Sequence, residues 1–437
     1  MKKIAIQTLG CRANQLESSI IADKFREYSW EIVGFNDKAD IYVINTCTVT
    51  GKSDSSSRYF VRKARKTNPQ AKIILAGCYA QVAAEEVACL KDIDLVLGNT
   101  EKLDLADLLV KEDILGRKNG KIYVSDIMKE EKFRDKTVLS ASGRVRANIK
   151  IQDGCNYRCS YCIIPYARGK SRSSELNTVI HQAEEVVKKG FNEIVLSGIH
   201  LGQWGLDLEP QNRLLDLLKE IEKIHGLHRY RLSSLDPMEF SDDLVNFLAD
   251  SEKFCRHLHI SLQSGNNKIL KAMRRRYTVE SYSELINTLV EKIPFINIGS
   301  DIIVGFPGET EEYFQETYNN LKNLPINYIH IFSYSKRKGT PAAEMPDQVS
   351  ERAKKQRNTV LKLLAAEKNL KFRQKMQGEE FEVIVENSRD KKTDLLKGMT
   401  DNFVSVFLDG SDELQNRLVK VRITSVDERN TAGVLLN

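Results

Sequence analysis

The sequence predicts an α/β protein in three parts: an N-terminal open parallel α/β sheet domain, a central partial (β/α) barrel and a small all-β barrel domain at the C-terminus. Short β-rich runs alternate with helical stretches over residues 1–115, and the alternation resumes on a larger scale over 144–372. Residues 373–437 instead contain strands separated by turns. Strands that alternate with helices of this length indicate parallel sheets with crossover connections, whereas short strands joined by turns indicate a small barrel or sandwich.

The N-terminal domain, residues 1–115, contains three β-rich runs, KIAIQTLG, DIYVINT and AKIILAG, each followed by a helical pattern. Residues 116–143 are polar, charged and weakly periodic, which predicts a linker. A hydrophobic content of 41% beside 29% charged residues excludes a disordered chain. No stretch has the roughly 20 apolar residues of a membrane-spanning helix, and the N-terminal residues lack the apolar run and cleavage site of a secretory signal. We therefore expect a cytoplasmic protein.

The central domain, 144–372, contains strand-like runs such as FNEIVLSGIH, HRYRLSSLD and HLHISLQ, with helical patterns between them. Repeated β–α units over about 200 residues fit a full or partial α/β barrel better than a doubly wound sheet, although the sequence alone leaves closure open. The last domain, 373–437, contains four strand-like runs: EEFEVIVENS, NFVSVFLDG, RLVKVRITSV and AGVLLN.

The end of the central domain is strongly basic. Residues 351–375 contain nine Lys or Arg and two Glu, a net charge of +7, whereas the whole chain has a net charge of +6. A charge run is ordinarily the solvated face of a helix. A basic helix that leads into a small β domain also suits RNA, and in that case Lys354, Lys355 and Arg357 are candidate phosphate contacts.

Three of the eight cysteines directly follow apolar runs of the N-terminal domain: Cys11 after AIQTLG, Cys47 after YVINT and Cys78 after IILAG. The carboxyl ends of parallel strands meet at one edge of a sheet, where ligands bind. We therefore expect these thiols to converge and to share a metal site, with three unrelated buried thiols as the alternative. Cys89 and Cys255 have no matching position and are predicted to be structural.

Three more cysteines, Cys155, Cys159 and Cys162, lie within eight positions of the stretch IQDGCNYRCSYCIIPYARG. A structural zinc site would need a fourth ligand, for which His200 is a distant candidate. An iron–sulfur cluster that is held by three thiolates instead keeps one iron open for a small molecule, and we favour this interpretation. Many cysteines in a cytoplasmic protein also favour metal or redox chemistry over disulfides.

The C-x3-C-x2-C loop resembles the signature of radical S-adenosylmethionine (SAM) enzymes. With the N-terminal cysteine triad, the runs LSGIHLG, HLHISLQSG, MRRRYT and DIIVGFPGET, and a C-terminal β domain, essentially the whole chain resembles the methylthiotransferases. LSGIHLG and RLSSLDP are most similar to the branch that methylthiolates N6-threonylcarbamoyladenosine beside the tRNA anticodon. The chain departs from the family at Ser261, where proline is usual, and at Trp204, where tyrosine is common.

The resemblance implies two [4Fe-4S] clusters and SAM as cofactors. Cys155, Cys159 and Cys162 would hold the cluster whose open iron binds SAM, and the N-terminal domain would hold an auxiliary, sulfur-carrying cluster on Cys11, Cys47 and Cys78. Implied partners are the tRNA anticodon stem-loop, bound in part by a TRAM-like domain over 373–437, an electron donor such as flavodoxin or ferredoxin, and a sulfur source. The implied SAM contacts, for which packing, turns or surface charge are the alternatives, are Tyr161, Ser197, Gly198, Ser233, Gln263, Arg275 and Gly305.

Three other functions stay open at the level of sequence. The enzyme could instead methylthiolate N6-isopentenyladenosine in tRNA, or a ribosomal protein side chain. The chain could also be an RNA-binding protein with structural clusters, but two incomplete cysteine sets argue against this because structural sites are normally closed. The predicted reaction attacks an aromatic C–H bond, so no acid–base residue is predicted.

Overall fold

The computed structural model describes residues 1–111, 121–134 and 145–436, and these residues form two compact units. The first unit consists of the described parts of 1–140, 152–174 and 335–343. The second consists of the described parts of 141–151, 175–334 and 344–437. Much of the predicted linker over 116–143 and the predicted start of the central domain at 144 lie outside the described residues. The predicted domain boundaries stay predictions.

The N-terminal part of the first unit is a parallel sheet with helices on both faces. Its elements are β1 (Lys3–Thr8), α1 (Arg12–Glu27), β2 (Glu31–Val33), β3 (Ile41–Thr46), α2 (Gly51–Thr67), β4 (Lys72–Gly77), α3 (Cys78–Val82), α4 (Ala84–Ala88), β5 (Leu95–Leu97), a 3₁₀ helix (Glu101–Asp104), α5 (Leu105–Val110) and β6 (Ile122–Tyr123). All strand pairs are parallel, in the order β2-β1-β3-β4-β5-β6. This arrangement confirms the predicted open parallel α/β sheet.

The burial of β3 explains why this sheet forms. All six of its residues are buried, as is typical of a parallel strand covered on both faces. Tyr42 and Ile44 pack on one face with Val61 of α2. Val43 packs on the other face with Ile21 of α1. The sequence IYVINT therefore reads as a continuous apolar run rather than an alternating one.

The elements that follow residue 145 belong to both units. In chain order they are β7 (Arg146–Lys150), β8 (Gln152–Asp153), α6 (Ile164–Arg168), β9 (Arg172–Ser173), α7 (Leu176–Lys188), β10 (Glu193–Ser197), α8 (Leu214–Glu222), β11 (Arg229–Leu232), α9 (Asp242–Asp250), β12 (His257–His259), α10 (Asn267–Ala272), α11 (Val279–Lys292), β13 (Asn297–Val304), α12 (Glu311–Asn323), β14 (Tyr328–Ser333), α13 (Pro341–Glu344), α14 (Glu351–Lys375), β15 (Glu380–Arg389), β16 (Leu396–Thr400), β17 (Ser405–Leu408), β18 (Leu418–Val426) and β19 (Thr431–Leu435). The antiparallel pair β8–β9 and the helix α6 lie in the first unit.

The second unit contains an open arc of six parallel strands. One sheet has the order β11-β10-β7 and another has the order β12-β13-β14. Isolated parallel bridges, Tyr230 to Phe254 and Leu235 to Ile260, join the two sheets. The strands thus follow one another in chain order, which confirms the predicted partial (β/α) barrel. Trp204, one of the departures from the family pattern, is fully buried in the core of this arc.

The C-terminal part of the second unit is a closed barrel with the order β15-β16-β17-β19-β18. It confirms the predicted all-β barrel, and it contains one strand, β16, beyond the four runs that the sequence indicates. β16 has the sequence LKGMT, in which Gly398 interrupts the apolar pattern. A Cβ atom on Gly398 would lie 2.2 Å from Cγ1 of Val383, so the close approach of β15 and β16 requires glycine.

No described helix combines the length and the apolar character that a membrane crossing requires.

Candidate functional site

The three N-terminal cysteines lie at the carboxyl ends of three adjacent strands. Cys11 follows β1 and caps α1, Cys47 follows β3, and Cys78 follows β4 and begins α3. Cys11 is exposed, whereas Cys47 and Cys78 are buried. Burial raises the pKa of the Cys47 thiol, and the neighbouring Cys78 and Cys11 thiols act in the same direction. The structure therefore places the three cysteines at neighbouring strand ends, and their role as ligands of one metal site stays a prediction.

Two glycines allow these turns to approach one another. Gly10 has a φ of +90°, and a Cβ atom there would lie 2.6 Å from Cβ and 2.8 Å from Sγ of Cys47. Gly77 has a φ of +97°, and its Cβ would lie 2.6 Å from Oδ1 of Asn45. A side chain at either position would therefore separate the strand ends. The repeated Gly-Cys pair is the local sequence signal for this site.

Thiols are the ligands that iron–sulfur clusters use, so the chemistry of these three donors is compatible with such a cluster. Across residues 1–111, 121–134 and 145–436, no three His, Cys, Asp or Glu side chains are arranged to hold one metal ion. A cubic cluster differs because each of its cysteines binds a different iron, so its thiols stand further apart. Three convergent thiols would hold three irons and leave the fourth open.

The second triad lies on a loop of the first unit that is held by its own backbone. The amide of Cys155 donates to the carbonyl of Gly169 at 3.1 Å, and that of Cys162 donates to the carbonyl of Cys159 at 3.1 Å. Gly154 has a φ of +74°, and a Cβ atom there would lie 1.9 Å from the carbonyl oxygen of Lys170. Cys159 is buried and the other two cysteines are half-buried. The loop is thus a tight, hydrogen-bonded turn in which two of the three cysteines are partly accessible.

His200, the distant zinc ligand of the alternative interpretation, belongs to the second unit. Its Nε2 atom lies 2.5 Å from Oε1 of Glu239. Cys255 is fully buried in the same unit, and burial raises the pKa of its thiol to about 12. Cys89 is exposed at the end of α4.

A buried polar network, which the sequence analysis missed, lies beside the N-terminal triad. Glu17 Oε2 lies 2.7 Å from Lys102 Nζ, and Glu17 Oε1 lies 2.9 Å from Arg168 Nη1. These three residues are at most 2% exposed. We call the group the Glu17 network, and its remaining members, which bond to the two cations, are Asn14, Asn45, Asn99 and Asp153.

Three of the predicted SAM contacts lie together at the carboxyl ends of β10 and β11. Ser197 ends β10 and is 2% exposed, and its Oγ atom has no hydrogen-bond partner among the described residues. The amide of Gly198 donates to Oγ of Ser233 at 3.3 Å. A buried hydroxyl without a partner costs about 1–3 kcal/mol unless a ligand completes it. The Ser197 hydroxyl is therefore suited to bond to the polar amino-acid part of SAM.

We expect Ser197→Ala to raise the free energy of unfolding of the apo-protein by about 1 kcal/mol, because it removes an unsatisfied buried hydroxyl. The same change is expected to weaken SAM binding by about tenfold, since the ligand loses a hydrogen bond to a charged group. Urea unfolding of the apo-protein and equilibrium dialysis of SAM against reconstituted protein without reductant measure the two effects.

Ser300→Ala is the matched control for this prediction. Ser300 is also fully buried in the arc, but its Oγ accepts a hydrogen bond from the amide of Leu262 at 2.9 Å. Its removal should destabilise the apo-protein. Equal destabilisation by the two changes would contradict the role of Ser197.

Gln263 and Gly305 follow β12 and β13 on the same arc. Gln263 has a φ of +68°, and its backbone amide donates to the carbonyl of Asp301 at 2.8 Å. Gly305 has a φ of +74°, and a Cβ atom there would lie 2.2 Å from Cγ of Lys354. Glycine at this position is thus explained by the packing of Lys354, and a contact with SAM stays a prediction.

Arg275 has protein partners in the described structure. Its guanidinium pairs with the carboxylate of Asp236, and its Nε donates to the hydroxyl of Tyr277 at 2.9 Å. The predicted pairing of Arg275 with the SAM carboxylate stays a prediction. Tyr161 lies half-buried on the cysteine loop of the first unit.

A second polar cluster that the sequence analysis missed lies on one face of β12, β13 and β14. His259 Nε2 lies 3.1 Å from Asp301 Oδ1. The hydroxyl of Tyr328 lies 2.7 Å from His257 Nε2 and 3.1 Å from His259 Nδ1. Next to them on β14, His330 is exposed and stacks on His259 with 5.4 Å between ring centroids. The alternation HLHIS was the local signal, because it places both histidines on one face of the strand.

The structure corrects the selection of basic residues on α14. Lys354 and Arg357, two of the three candidate phosphate contacts, are each 6% exposed. Arg357 Nη1 lies 2.7 Å from Glu309 Oε1, and Lys354 Nζ lies 2.8 Å from Glu351 Oε1. Arg357 thus holds α14 to the arc, and Lys354 pairs within the first turn of α14. Both side chains are therefore unsuited to bind phosphate. The exposed basic residues of the helix are Arg352, Lys355, Lys362, Lys371 and Lys375.

Two family models match the chain. The radical SAM superfamily matches residues 149–321, and the uncharacterized protein family UPF0004 matches residues 3–98. The first range includes the C-x3-C-x2-C loop and most of the arc, and the second includes Cys11, Cys47 and Cys78.

Curated relatives match nearly the whole chain. The threonylcarbamoyladenosine tRNA methylthiotransferase MtaB of Aquifex aeolicus is 44% identical over 96% of this chain and 100% of its own. The protein of the same name from Bacillus subtilis is 39% identical over 97% of this chain and 94% of its own. A tRNA-2-methylthio-N(6)-dimethylallyladenosine synthase from Carboxydothermus hydrogenoformans is 33% identical over 100% of this chain and 99% of its own.

Among solved structures, the chain is similar in fold to the radical S-adenosylmethionine methyltransferase TsrM from Kitasatospora setae, which was determined with cobalamin and a [4Fe-4S] cluster bound. The TM-score is 0.57 at 16% identity, over 78% of this chain and 77% of that chain. At this identity the likeness concerns the fold alone.

Proposed function

Because the chain belongs to the radical SAM tRNA methylthiotransferases, we propose that it adds a methylthio group to C2 of N6-threonylcarbamoyladenosine next to the tRNA anticodon. The observation that carries this proposal is the presence of two separate cysteine triads in one unit of the structure. A protein that used SAM only to generate a radical would need one such triad, whereas sulfur insertion needs a second site that holds sulfur.

The two triads have different roles in this proposal. Cys155, Cys159 and Cys162 would hold one [4Fe-4S] cluster on the shaped loop and leave an iron for SAM. Cys11, Cys47 and Cys78 would hold the other cluster at the edge of the N-terminal sheet. When bound, SAM and the clusters supply the radical that activates the C2–H bond and the methylthio group that replaces the hydrogen.

The remaining residues position the cofactor. Ser197 Oγ would accept a hydrogen bond from the amino group of SAM, and Gly198 would allow the close approach because it has no side chain. Ser233, Gln263 and Gly305 end neighbouring strands of the arc, where ligands of α/β folds bind. Tyr161 and Arg275 would contact the adenine and the carboxylate of SAM.

The partners follow from the reaction. The protein would act in the cytoplasm on the anticodon stem-loop of tRNA, which the TRAM-like barrel over 373–437 and the exposed face of α14 would bind in part. A flavodoxin or ferredoxin would supply electrons, and a separate sulfur source would restore the sulfur that each turnover consumes.

Mass spectrometry of tRNA nucleosides tests the proposal. Cells that lack the protein should lose 2-methylthio-N6-threonylcarbamoyladenosine and accumulate the unmodified N6-threonylcarbamoyladenosine. Loss of the methylthiolated isopentenyl nucleoside instead would support the alternative that the relatives at 33% identity represent.

The exposed basic face of α14 should determine part of the salt dependence of tRNA binding. Replacement of Arg352, Lys355 and Lys362 by Gln is expected to weaken binding and to reduce the slope of log K against log salt by about 0.7–0.9 for each lost phosphate contact. Replacement of the exposed Lys188 on α7, Lys219 on α8 and Lys223 directly after α8 removes the same charge and is expected to leave the slope unchanged. Equal slopes for both triple variants would contradict the assignment.

A further inference from the structure

The Glu17 network connects the surroundings of the two cysteine triads, first through the side chain of Arg168. Arg168 lies on α6, six residues after Cys162. Its Nη2 donates to Oδ1 of Asn14 at 2.7 Å and lies 3.0 Å from Oε2 of Glu17. Both partners belong to α1, the helix that Cys11 caps. The guanidinium thus joins the helix that follows the second triad to the helix that begins after Cys11 of the first triad.

The backbone before Arg168 is held to the N-terminal triad as well. Nδ2 of Asn99 donates to the carbonyl of Ala167 at 2.6 Å and lies 3.6 Å from Sγ of Cys78. Oδ1 of Asn99 accepts from Nζ of Lys102 at 2.7 Å. Asn99 therefore bonds a candidate ligand of one cluster and the helix that follows the ligands of the other.

The network also acts on the strand ends that carry the triad. Nδ2 of Asn14 donates to the carbonyls of Leu9 and Thr46, each at 2.8 Å. These carbonyls stand one residue before Gly10 and Cys47. A shift of Arg168 would consequently move both turns through Asn14.

The Arg168 guanidinium lies close enough to the thiols of Cys78 and Cys11 to interact with them electrostatically. Burial alone would lower the pKa of the Arg168 guanidinium, but Asp153, Glu17 and the thiols of Cys78 and Cys11 raise it well above its usual range. A buried ion pair seldom stabilises a fold more than apolar packing of the same volume. The two cations, which are paired with Glu17 and Asp153, are therefore candidates for a role at the neighbouring thiols as well as in folding.

We propose that Asn99, Lys102 and Arg168 are positioning residues that hold the N-terminal cluster site to the loop of the second triad and raise the reduction potential of the N-terminal cluster. The inference rests on the proposed function, because it assigns a cluster to Cys11, Cys47 and Cys78. Cations near a cluster stabilise the added electron, and so does a hydrogen bond to a ligating sulfur such as the one from Asn99 to Cys78. The fixed geometry would keep the sulfur-carrying site within reach of the target carbon.

The first experiment measures the reduction potential in the full chain with Cys155, Cys159 and Cys162 replaced by Ala, so that only the N-terminal cluster remains. We expect Arg168→Gln and Asn99→Leu each to lower the potential, measured by redox titration with electron paramagnetic resonance. Arg168→Lys keeps the charge and is expected to keep the potential within error of the parent. An unchanged potential in both Arg168→Gln and Asn99→Leu would overturn the electrostatic part of the proposal.

The second experiment uses the enzyme with both triads intact and measures the ratio of 5′-deoxyadenosine to methylthiolated nucleoside. Arg168→Lys should raise this ratio by about 10- to 100-fold, because loss of the two-armed contact with Glu17 displaces one site from the other. A ratio equal to that of the parent would overturn the positioning role. If the parent itself made no methylthiolated nucleoside, the proposed function would fail, whereas the potentials would still test the network.

The second unit provides a matched control. Glu193 is likewise buried between two buried cations, with Nε of Arg229 at 2.7 Å and Nε of Arg231 at 3.0 Å. That unit contains none of the six candidate ligands. Arg231→Lys should lower the thermal stability of the apo-protein without changing the potential or the ratio. If Arg231→Lys changed the potential or the ratio as much as Arg168→Lys does, the effects would be those of general destabilisation.

If the Arg168→Gln variant binds no iron, Asn99→Leu decides the electrostatic part of the proposal, because it leaves both cations in place.

Discussion

Replacement of Cys47 by Ala is expected to abolish the methylthiolated nucleoside while reductive cleavage of SAM, measured as 5′-deoxyadenosine, continues. In the proposed mechanism Cys47 would help to hold the sulfur-carrying cluster, whereas the C-x3-C-x2-C loop would hold the cluster that binds SAM. Replacement of Cys159 by Ala should abolish both products, because it removes a predicted ligand of the SAM-binding cluster. Liquid chromatography of both products from one anaerobic reaction with tRNA measures the separation.

Cys89→Ala is the control for this prediction. Cys89 is an exposed cysteine of the same N-terminal domain, outside both triads, and its replacement should leave both products unchanged. A Cys47 variant that still made methylthiolated tRNA at the parental rate would show that sulfur does not pass through the N-terminal site, and the two-cluster mechanism would be wrong.

The second large effect concerns metal content. Anaerobically reconstituted protein should contain about eight irons per chain, four for each cubic cluster. Simultaneous replacement of Cys155, Cys159 and Cys162 by Ala should leave about four of them, and so should replacement of Cys11, Cys47 and Cys78. Iron and zinc are measured by plasma mass spectrometry, and acid-labile sulfide is measured beside them.

The reciprocal pair of triple variants makes this prediction specific. If both retain half of the iron, each triad binds a cluster independently of the other. Retention of all the iron by either variant would remove that triad from the proposed ligands. A chain that contained zinc and no iron would contradict both clusters.

Local patterns in the sequence were sufficient for the fold class and for the convergence of the first triad. The apolar runs that end at Cys11, Cys47 and Cys78 form the strands β1, β3 and β4, and parallel strands carry their carboxyl ends to one edge. Strand β16 was missed because glycine, here Gly398, has a low preference for strands. The reason for this glycine is visible only in the closed barrel, where a side chain at that position would collide with Val383.

The burial of charged side chains did not follow from local patterns. Lys354 and Arg357 belong to a run of basic residues that reads as a solvated face, yet Arg357 pairs with Glu309, 48 positions away. Which basic residues of a helix are buried depends on the acidic residues of the segment that the helix packs against. For α14, that segment includes Glu309, in the turn before α12.

By itself, the sequence determined most of the strands and the positions of both cysteine triads, and hence the predicted class of cofactor. Each strand depends on residues within a few positions of one another, and the edge at which strands end depends on the connection rules of parallel sheets. Only the tertiary structure decided that Glu17 and Arg168, 151 positions apart, meet beside Cys78 and that the Ser197 hydroxyl is left without a partner. Such features leave no periodic pattern in the sequence. They arise only in the folded chain, where the segments that burial brings together decide which polar groups have partners.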